Sequence, residues 1–194
     1  MDKTAKTAYT IHPLMSKRYS PRTFEDRMIE EDKLNRIFEA IRWAPSSMHD
    51  QPWNLLVGLK GKNDVYDKIM DSLAEFNQIW AKLAPVLVVI VADKISAKTG
   101  TTNNVYQYDA GQAASYLSMQ AMEENIYTHQ MGGFDKDKMQ TIFNIPEQFE
   151  PVSVIALGYL GELENLPENF QKMEMTERVR KEQSEFVFWN AWGK

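Results

Sequence analysis

The chain has 194 residues, enough for one domain with a sizeable hydrophobic core. Hydrophobic residues make up 43% and charged residues 25%, as in ordinary globular proteins, and the absence of cysteine excludes disulfides, thiolate nucleophiles and cysteine-ligated iron–sulfur clusters. The net charge of −5 argues against nucleic acid or an anionic membrane as the partner, and no apolar run reaches the roughly 20 residues that span a bilayer. The first four residues lack the layout of a secretory signal, so we expect a cytoplasmic protein.

Apolar residues at helical spacing predict four helices, and continuous apolar or β-branched runs predict three strands. In chain order these are helix 31–43, strand 53–60, helix 64–82, strand 85–93, helix 103–125, helix 135–143 and strand 152–160. The alternation predicts a single domain over 1–194 in which helices cover a sheet of four or five strands.

The tail over 173–194 is first charged and then aromatic, with Phe186, Phe188, Trp189 and Trp192. An apolar patch of this size is unfavourable in water. The tail therefore either packs back on its own domain or crosses onto a second copy of the chain.

A basic cluster stands out against the negative net charge near the start of the chain. In Arg18-Tyr19-Ser20-Pro21-Arg22, two arginines and a serine alternate and would point the same way if the segment is extended. Two guanidinium groups and a hydroxyl facing one spot suit a phosphate. The alternative is a solvated basic turn before the first long helix.

A second candidate segment, 44–53, lies between a predicted helix and a strand, where loops often carry function. It contains Pro45, Ser46, Ser47, His49 and Gln51. The alternative is an ordinary turn, and a Ser-His-Asp triad is disfavoured because these sequence neighbours cannot easily adopt relay geometry.

Two further segments have weaker signals. Gln130-Met131-Gly132-Gly133 precedes a predicted helix, and paired glycines let the backbone approach a flat ligand, although a helix-capping turn explains them equally well. Arg178-Val179-Arg180 repeats the spacing of the opening cluster, and by itself such a pair is most often solvated.

Together these four segments resemble the nitroreductase family of FMN-dependent oxidoreductases, and so do Asp109-Ala110-Gly111 and the strand that ends in Ala156-Leu157-Gly158-Tyr159. The resemblance runs from about residue 11 to the tail. It implies an α+β fold with a mostly antiparallel central sheet flanked by helices. It also implies a homodimer in which the tail, 173–194, wraps the partner.

The resemblance further implies FMN as cofactor, NADH or NADPH as electron donor, and ping-pong reduction of a small electron-poor acceptor such as a nitroaromatic or quinone. Flavin N5 would carry the chemistry, so no catalytic side chain and no metal is expected. The residues it places around FMN are Arg18, Tyr19, Ser20, Arg22, Pro45, Ser46, Ser47, His49, Gln51, Gln130, Met131, Gly132, Gly133, Arg178 and Arg180.

Within this implied site, Arg18, Ser20 and Arg22 would hold the phosphate and ribityl chain, and the late arginines would return to the phosphate. Arg22 or Arg180 would also place donors near N1 and O2 of the flavin. Pro45, Ser46 and Ser47 would lie along the flavin from the other subunit, and residues 130–133 would face the ring.

The sequence departs from the family pattern at two positions that shape the ring face. His49 stands where the family usually has Asn, and Gly132 stands where many relatives have Glu. These departures leave open a flavin-binding dimer without turnover, such as a sensor, and a branch with other flavin chemistry such as reductive dehalogenation. An unrelated domain without flavin is the remaining alternative.

Overall fold

The computed structural model describes residues 3–193, so residues 1, 2 and 194 of the predicted domain and tail lie outside it. The strands are β1 (Trp53–Leu59), β2 (Val86–Asp93), β3 (Tyr127–Met131) and β4 (Phe149–Gly158). They form one antiparallel sheet in the order β1-β2-β4-β3. The helices are α1 (Pro13–Lys17), α2 (Glu31–Arg42), α3 (Asp64–Ser72), α4 (Glu75–Ala81), α5 (Tyr106–Glu123), α6 (Lys136–Phe143) and α7 (Glu168–Met175). The predicted α+β class with a mostly antiparallel sheet is confirmed.

The central strand β2 is buried on both faces because its side chains alternate between two cores. Val86, Val88 and Ile90 pack with the apolar faces of α2 and α5. Leu87 and Val89 pack with α3, α4, α6 and α7 on the other side. The result is a three-layer arrangement, and it explains why the sequence of this strand is continuously apolar.

Most predicted elements are found within a few residues of their expected bounds. Helix α2 matches 31–43 closely, because its apolar residues form one buried stripe and Pro45 follows its end. Helix α6 begins after Asp135, whose carboxylate accepts a hydrogen bond from the Lys138 amide at 2.9 Å as an N-cap.

The prediction of one continuous helix over 64–82 was wrong. The chain breaks at Leu73 and Ala74, which are extended and separate α3 from α4. Leu73 pairs with Phe134 in an isolated antiparallel bridge, and the Ala74 amide donates to the Gly133 carbonyl at 3.0 Å. Tertiary hydrogen bonds to the segment after β3 therefore replace the helical ones.

Three elements were not predicted. Strand β3 is short and polar, and it lies at the sheet edge with β4 as its one strand partner, so it lacks the apolar run of a buried strand. Helices α1 and α7 are only 5 and 8 residues long. Within the described residues, none of the helices is long and apolar enough to cross a membrane.

The tail divides into two parts. Its first residues complete α7, and the following extended stretch packs on the start of the same chain, where Lys6 pairs with Glu177 at 2.7 Å. The last part extends into solvent, with Trp189 and Trp192 exposed by 90% and 92%. These tail aromatics therefore do not pack back on their own domain.

Candidate functional site

The opening cluster and the late arginine pair meet in one cleft of about 200 Å³. Its lining residues are Lys3, Arg18, Tyr19, Ser20, Arg22, Met173, Glu174, Thr176, Arg178 and Arg180. The two motifs are more than 150 residues apart in sequence, and the structure brings every predicted phosphate ligand of both motifs to the same place.

Arg178 builds this cleft by tying the tail to the start of the chain. Its Nη1 donates to the carbonyl oxygens of Lys3 and Ser16 at 2.5 and 3.0 Å, and its Nη2 donates to the carbonyl oxygen of Arg18 at 2.9 Å. These bonds occupy much of the guanidinium fork. Arg178 therefore acts in the folded chain as a structural clamp whose charge stays at the cleft.

The guanidinium groups of Arg18, Arg178 and Arg180 line this cleft, and none of the three forms an ion pair with a carboxylate of the described residues. The pKa of Arg18 is lowered by burial and then by the nearby charges of Arg178 and Arg180. The pKa of Arg178 is lowered by burial and by Arg180. Among residues 3–193, the ion pair formed by the cleft arginines is the one between Arg22 and Glu174, at 3.1 Å. The unpaired cluster is thus a site that a phosphate dianion would stabilise.

The opening segment presents its residues to the cleft as the alternation predicts. Arg18 Nη1 donates to Ser20 Oγ at 3.3 Å, which places the hydroxyl beside the guanidinium. Tyr19 packs edge-on against Tyr127 with ring centroids 5.3 Å apart, and burial raises the pKa of Tyr19 to about 12. The aromatic contact holds the segment against β3.

His129 of β3 forms a second link between the opening segment and the sheet. Its Nδ1 lies 2.9 Å from the Pro21 carbonyl oxygen, and its ring centroid lies 4.3 Å from that of Trp80. Burial lowers the pKa of His129 to about 4. The imidazole is therefore neutral near pH 7, with the proton on Nδ1 shared with the carbonyl.

The end of β3 and the turn that follows it expose some of the predicted ring-facing residues and cover others. Gln130 is exposed and donates to Ser118 Oγ at 3.2 Å. The Met131 side chain is 4% exposed and lies in the core, so its backbone alone could face a ligand. At Gly132 an added Cβ would meet no atom within 4 Å, whereas at Gly133 it would lie 2.8 Å from Asn77 Nδ2.

The Pro-Ser loop lies elsewhere in the folded chain, beside the start of α5. The Ser47 amide donates to both carboxylate oxygens of Asp109 at 3.2 and 3.1 Å, and Asp109 is 1% exposed. None of the described residues 45–51 lines the arginine cleft. A single copy of the chain therefore brings together the first and fourth motifs, whereas neither residues 45–51 nor residues 130–133 line that cleft.

The backbone of this loop is strained. Met48, His49 and Gln51 have φ values of 53°, 58° and 49°, in the left-handed region that disfavours side chains. Asp50 is held by Ser96 Oγ at 3.1 Å and by Asn103 Nδ2 at 3.3 Å.

The Gln51 amide donates to Ser46 Oγ at 3.0 Å, and His49 Nε2 lies 3.1 Å from Gln51 Nε2. These bonds, with the one from Ser47 to Asp109, maintain a conformation that the loop would not adopt alone.

Sequence reasoning missed two residues of this region. Asp109 is part of the family resemblance but is not among the predicted site residues, although a carboxylate among small apolar residues is a sign of a buried acceptor. Glu174 was not singled out; it lies four residues after Phe170, on the buried face of α7. An acidic residue at helical spacing from a buried aromatic could have drawn attention to it.

Comparison with known proteins finds a family model and solved structures that are similar to this chain. The model of the nitroreductase family matches residues 15–159. A solved structure described as an oxidoreductase containing FMN is 30% identical, with a TM-score of 0.88, and the match covers 96% of this chain and 95% of that one.

Two more distant relatives are also similar to this chain. A nitroreductase family protein from Clostridium difficile 630 has the same fold, with a TM-score of 0.72 at 24% identity over 92% of this chain and 96% of its own. A protein of Archaeoglobus fulgidus named "Putative NADH dehydrogenase/NAD(P)H nitroreductase" is 24% identical over 82% of this chain and 86% of its own length.

We predict that Asp109→Asn destabilises the protein by about 1–3 kcal/mol, because the amide replaces a charged acceptor of the Ser47 N–H. Urea unfolding measures the change, and faster hydrogen exchange at the Ser47 amide locates it. Asp137→Asn is the matched control, since Asp137 also lies in the first turn of a helix but is exposed. Equal stability of the two variants would contradict the assignment.

His129 should make stability depend on pH. Because its folded pKa is about 4 against 6.5 for the free side chain, the unfolded chain binds the extra proton. The free energy of unfolding therefore has its full value above pH 6.5 and decreases by about 2–3 kcal/mol as the pH falls towards 4. Unfolding free energies of His129→Asn should lack this slope, while His12→Asn, at an exposed histidine, should keep it. A slope unchanged in His129→Asn would refute the prediction.

Proposed function

The chain belongs to the nitroreductase family, and from that premise we propose that it is an FMN-dependent NAD(P)H oxidoreductase that works as a homodimer. The observation that carries the proposal is the cleft lined by Arg18, Arg178 and Arg180, none of which forms an ion pair with a carboxylate of the described residues. The FMN named for the relative at 30% identity supports this choice of anion.

The cleft fits the phosphate end of FMN by its chemistry. Arg18, Ser20 and Arg180 offer guanidinium and hydroxyl donors at one spot, and each charge-assisted hydrogen bond contributes roughly 1.5–3 kcal/mol. Three such bonds together contribute roughly 5–9 kcal/mol, which offsets a large part of the cost of association. Tyr19 would contribute backbone contacts and Arg178 its charge.

Arg22 supplies donors of a different kind. It is already neutralised by Glu174, and its buried Nε has no hydrogen-bond partner among the described residues. We assign Arg22 to the ribityl chain or to the N1 and O2 edge of the flavin, where its remaining donors would offset negative charge on the ring.

When bound, FMN would supply the redox chemistry at flavin N5, accepting hydride from NADH or NADPH and passing electrons in ping-pong order to an electron-poor acceptor such as a nitroaromatic or quinone. The protein would orient the flavin and leave space beside its ring for the electron donor and the acceptor. Gln130, Gly132 and Gly133 would border the ring through their backbone, and the open side of Gly132 would leave room for the donor and the acceptor in turn.

The second subunit would complete the site. Pro45, Ser46 and Ser47, with the His49–Gln51 pair, lie outside the arginine cleft of their own chain and would reach the flavin of the partner. The exposed aromatics of 186–192 would bury themselves on that partner, since isolated exposure of such side chains is unfavourable. Both features support a homodimer in which the tail wraps the other copy.

The direct test is an anaerobic stopped-flow experiment on the FMN-loaded protein. Mixing with NADH or NADPH should bleach the visible absorbance of the oxidised flavin, and adding a quinone or nitroaromatic should restore it. If FMN binds and neither donor bleaches it, the protein is a flavin-binding dimer without reductase activity. If the protein takes up no FMN, the proposal fails altogether.

We predict that Arg18→Ala weakens FMN binding tenfold or more, which corresponds to about 1.4 kcal/mol per factor of ten. The loss follows from removal of an unpaired charge in the cleft. Fluorescence titration of the apo-protein measures the affinity. Arg27→Ala is the control, because Arg27 is exposed and forms an ion pair with Glu30 at 2.5 Å. Neither residue lines the cleft. Equal affinities for the two variants would refute the phosphate assignment.

A further inference from the structure

A buried carboxylate lies inside the arginine cleft. Glu174 is 8% exposed and lines the cleft, and its Oε1 accepts from Arg22 Nη1 at 3.1 Å. The two side chains are 7% and 21% exposed, so water screens the pair only partly. A carboxylate is unexpected at this place, because it repels the anion that the surrounding arginines would attract.

Glu174 does not neutralise the cluster formed by Arg18, Arg178 and Arg180. Its ion pair among the described residues is with Arg22, while Arg18, Arg178 and Arg180 lack a carboxylate partner within the same part of the chain. Glu174 thus acts on one guanidinium and leaves the others charged.

The helix that carries Glu174 is itself anchored. Phe170, one turn earlier on α7, is 1% exposed and belongs to the core beneath the sheet. Because residues four apart lie on the same helix face, the buried ring of Phe170 fixes the face of α7 that carries Glu174. Since the Glu174 side chain is itself buried, its carboxylate has little room to move.

Arg22 needs such an acceptor. Its side chain has three rotatable bonds beyond Cβ, and without a fixed partner it would sample several rotamers. Glu174 engages Nη1, and Nε is buried without a partner among the described residues. The fork is held on one side, and since Nε has almost no exposed surface, a ligand in the cleft would meet the Nη atoms.

We propose that Glu174 is a positioning residue that fixes the guanidinium of Arg22 for contact with the flavin cofactor. This inference rests on the proposed FMN function. It deepens that function by assigning a role to a residue of α7, which reaches the cofactor through Arg22.

The proposal predicts an effect opposite in sign to simple electrostatics. Glu174→Gln makes the cleft more positive, so Coulomb attraction alone would tighten FMN binding. If Glu174 positions Arg22, the same substitution should weaken binding about 5- to 20-fold, because a neutral amide oxygen holds the guanidinium less firmly than a carboxylate and Arg22 becomes less ordered.

The experiment measures FMN affinity of the apo-protein by fluorescence titration for wild type, Glu174→Gln, Arg22→Gln and the double variant. Glu174→Gln should weaken binding in the wild-type background and change it less than twofold in the Arg22→Gln background. Glu177→Gln is the matched control, since it removes the same charge three residues later from an exposed pair with Lys6. It should leave the affinity within twofold of wild type.

Tighter or unchanged binding by Glu174→Gln would overturn the proposal, and so would equal weakening in both backgrounds, which indicates a general structural effect. If Glu174→Gln does not fold, Glu174→Asp takes its place: it keeps the charge but shortens the reach, and should show the same dependence on Arg22. If the wild-type protein binds no FMN, the proposed function has failed. If the wild-type protein binds FMN and the Glu174 variant binds it equally well, the proposed function stands and only the role of Glu174 is refuted.

Discussion

The guanidinium of Arg178 holds the two ends of the chain together, and the candidate site depends on it. By donating to the carbonyls of Lys3, Ser16 and Arg18, it places the tail against the opening segment. The same contact brings the cations of Arg18, Arg178 and Arg180 into one partly buried cleft, where burial and mutual repulsion cost free energy. A bound phosphate, as proposed, would offset that cost and stabilise the folded chain.

The sheet supplies the rigid side of this arrangement. Edge strand β3 meets the opening segment through His129 and Tyr127, while the side chain of Met131 anchors the strand in the core. The Pro-Ser loop, held in strain by Asp109 and Asp50, lies apart from the cleft. Strain that is maintained by several hydrogen bonds is typical of functional loops, and the proposed function assigns this loop to the flavin site of a second subunit.

Sequence alone predicted what local periodicity controls. The spacing of apolar residues predicts both α2 and β2. Burial on one face gives α2 its apolar stripe, and burial on two faces gives β2 its continuous apolar run. The break between α3 and α4 was missed because hydrogen bonds from residues 133–135, far along the chain, outweigh the helical pattern. The polar edge strand β3 was missed because one strand partner and a short length leave little hydrophobic signal.

The candidate site was predictable only in part. Neither arginine pair identifies a phosphate site by itself, and their meeting was expected from the family resemblance, since no spacing rule joins Arg18 to Arg180. Glu174 escaped notice because α7 is short and its buried face carries few apolar residues. In the proposed dimer the place of the Pro-Ser loop depends on the contact between subunits, which local sequence patterns do not predict.

The central claim is that the unpaired arginine cleft binds the phosphate of the cofactor, and the most direct measurement compares FMN with riboflavin, which lacks that phosphate. Calorimetric titration of the same apo-protein at fixed ionic strength should find FMN bound about 100-fold more tightly or better, since two or more charge-assisted hydrogen bonds are at stake. Equal affinities for the two flavins would contradict the account.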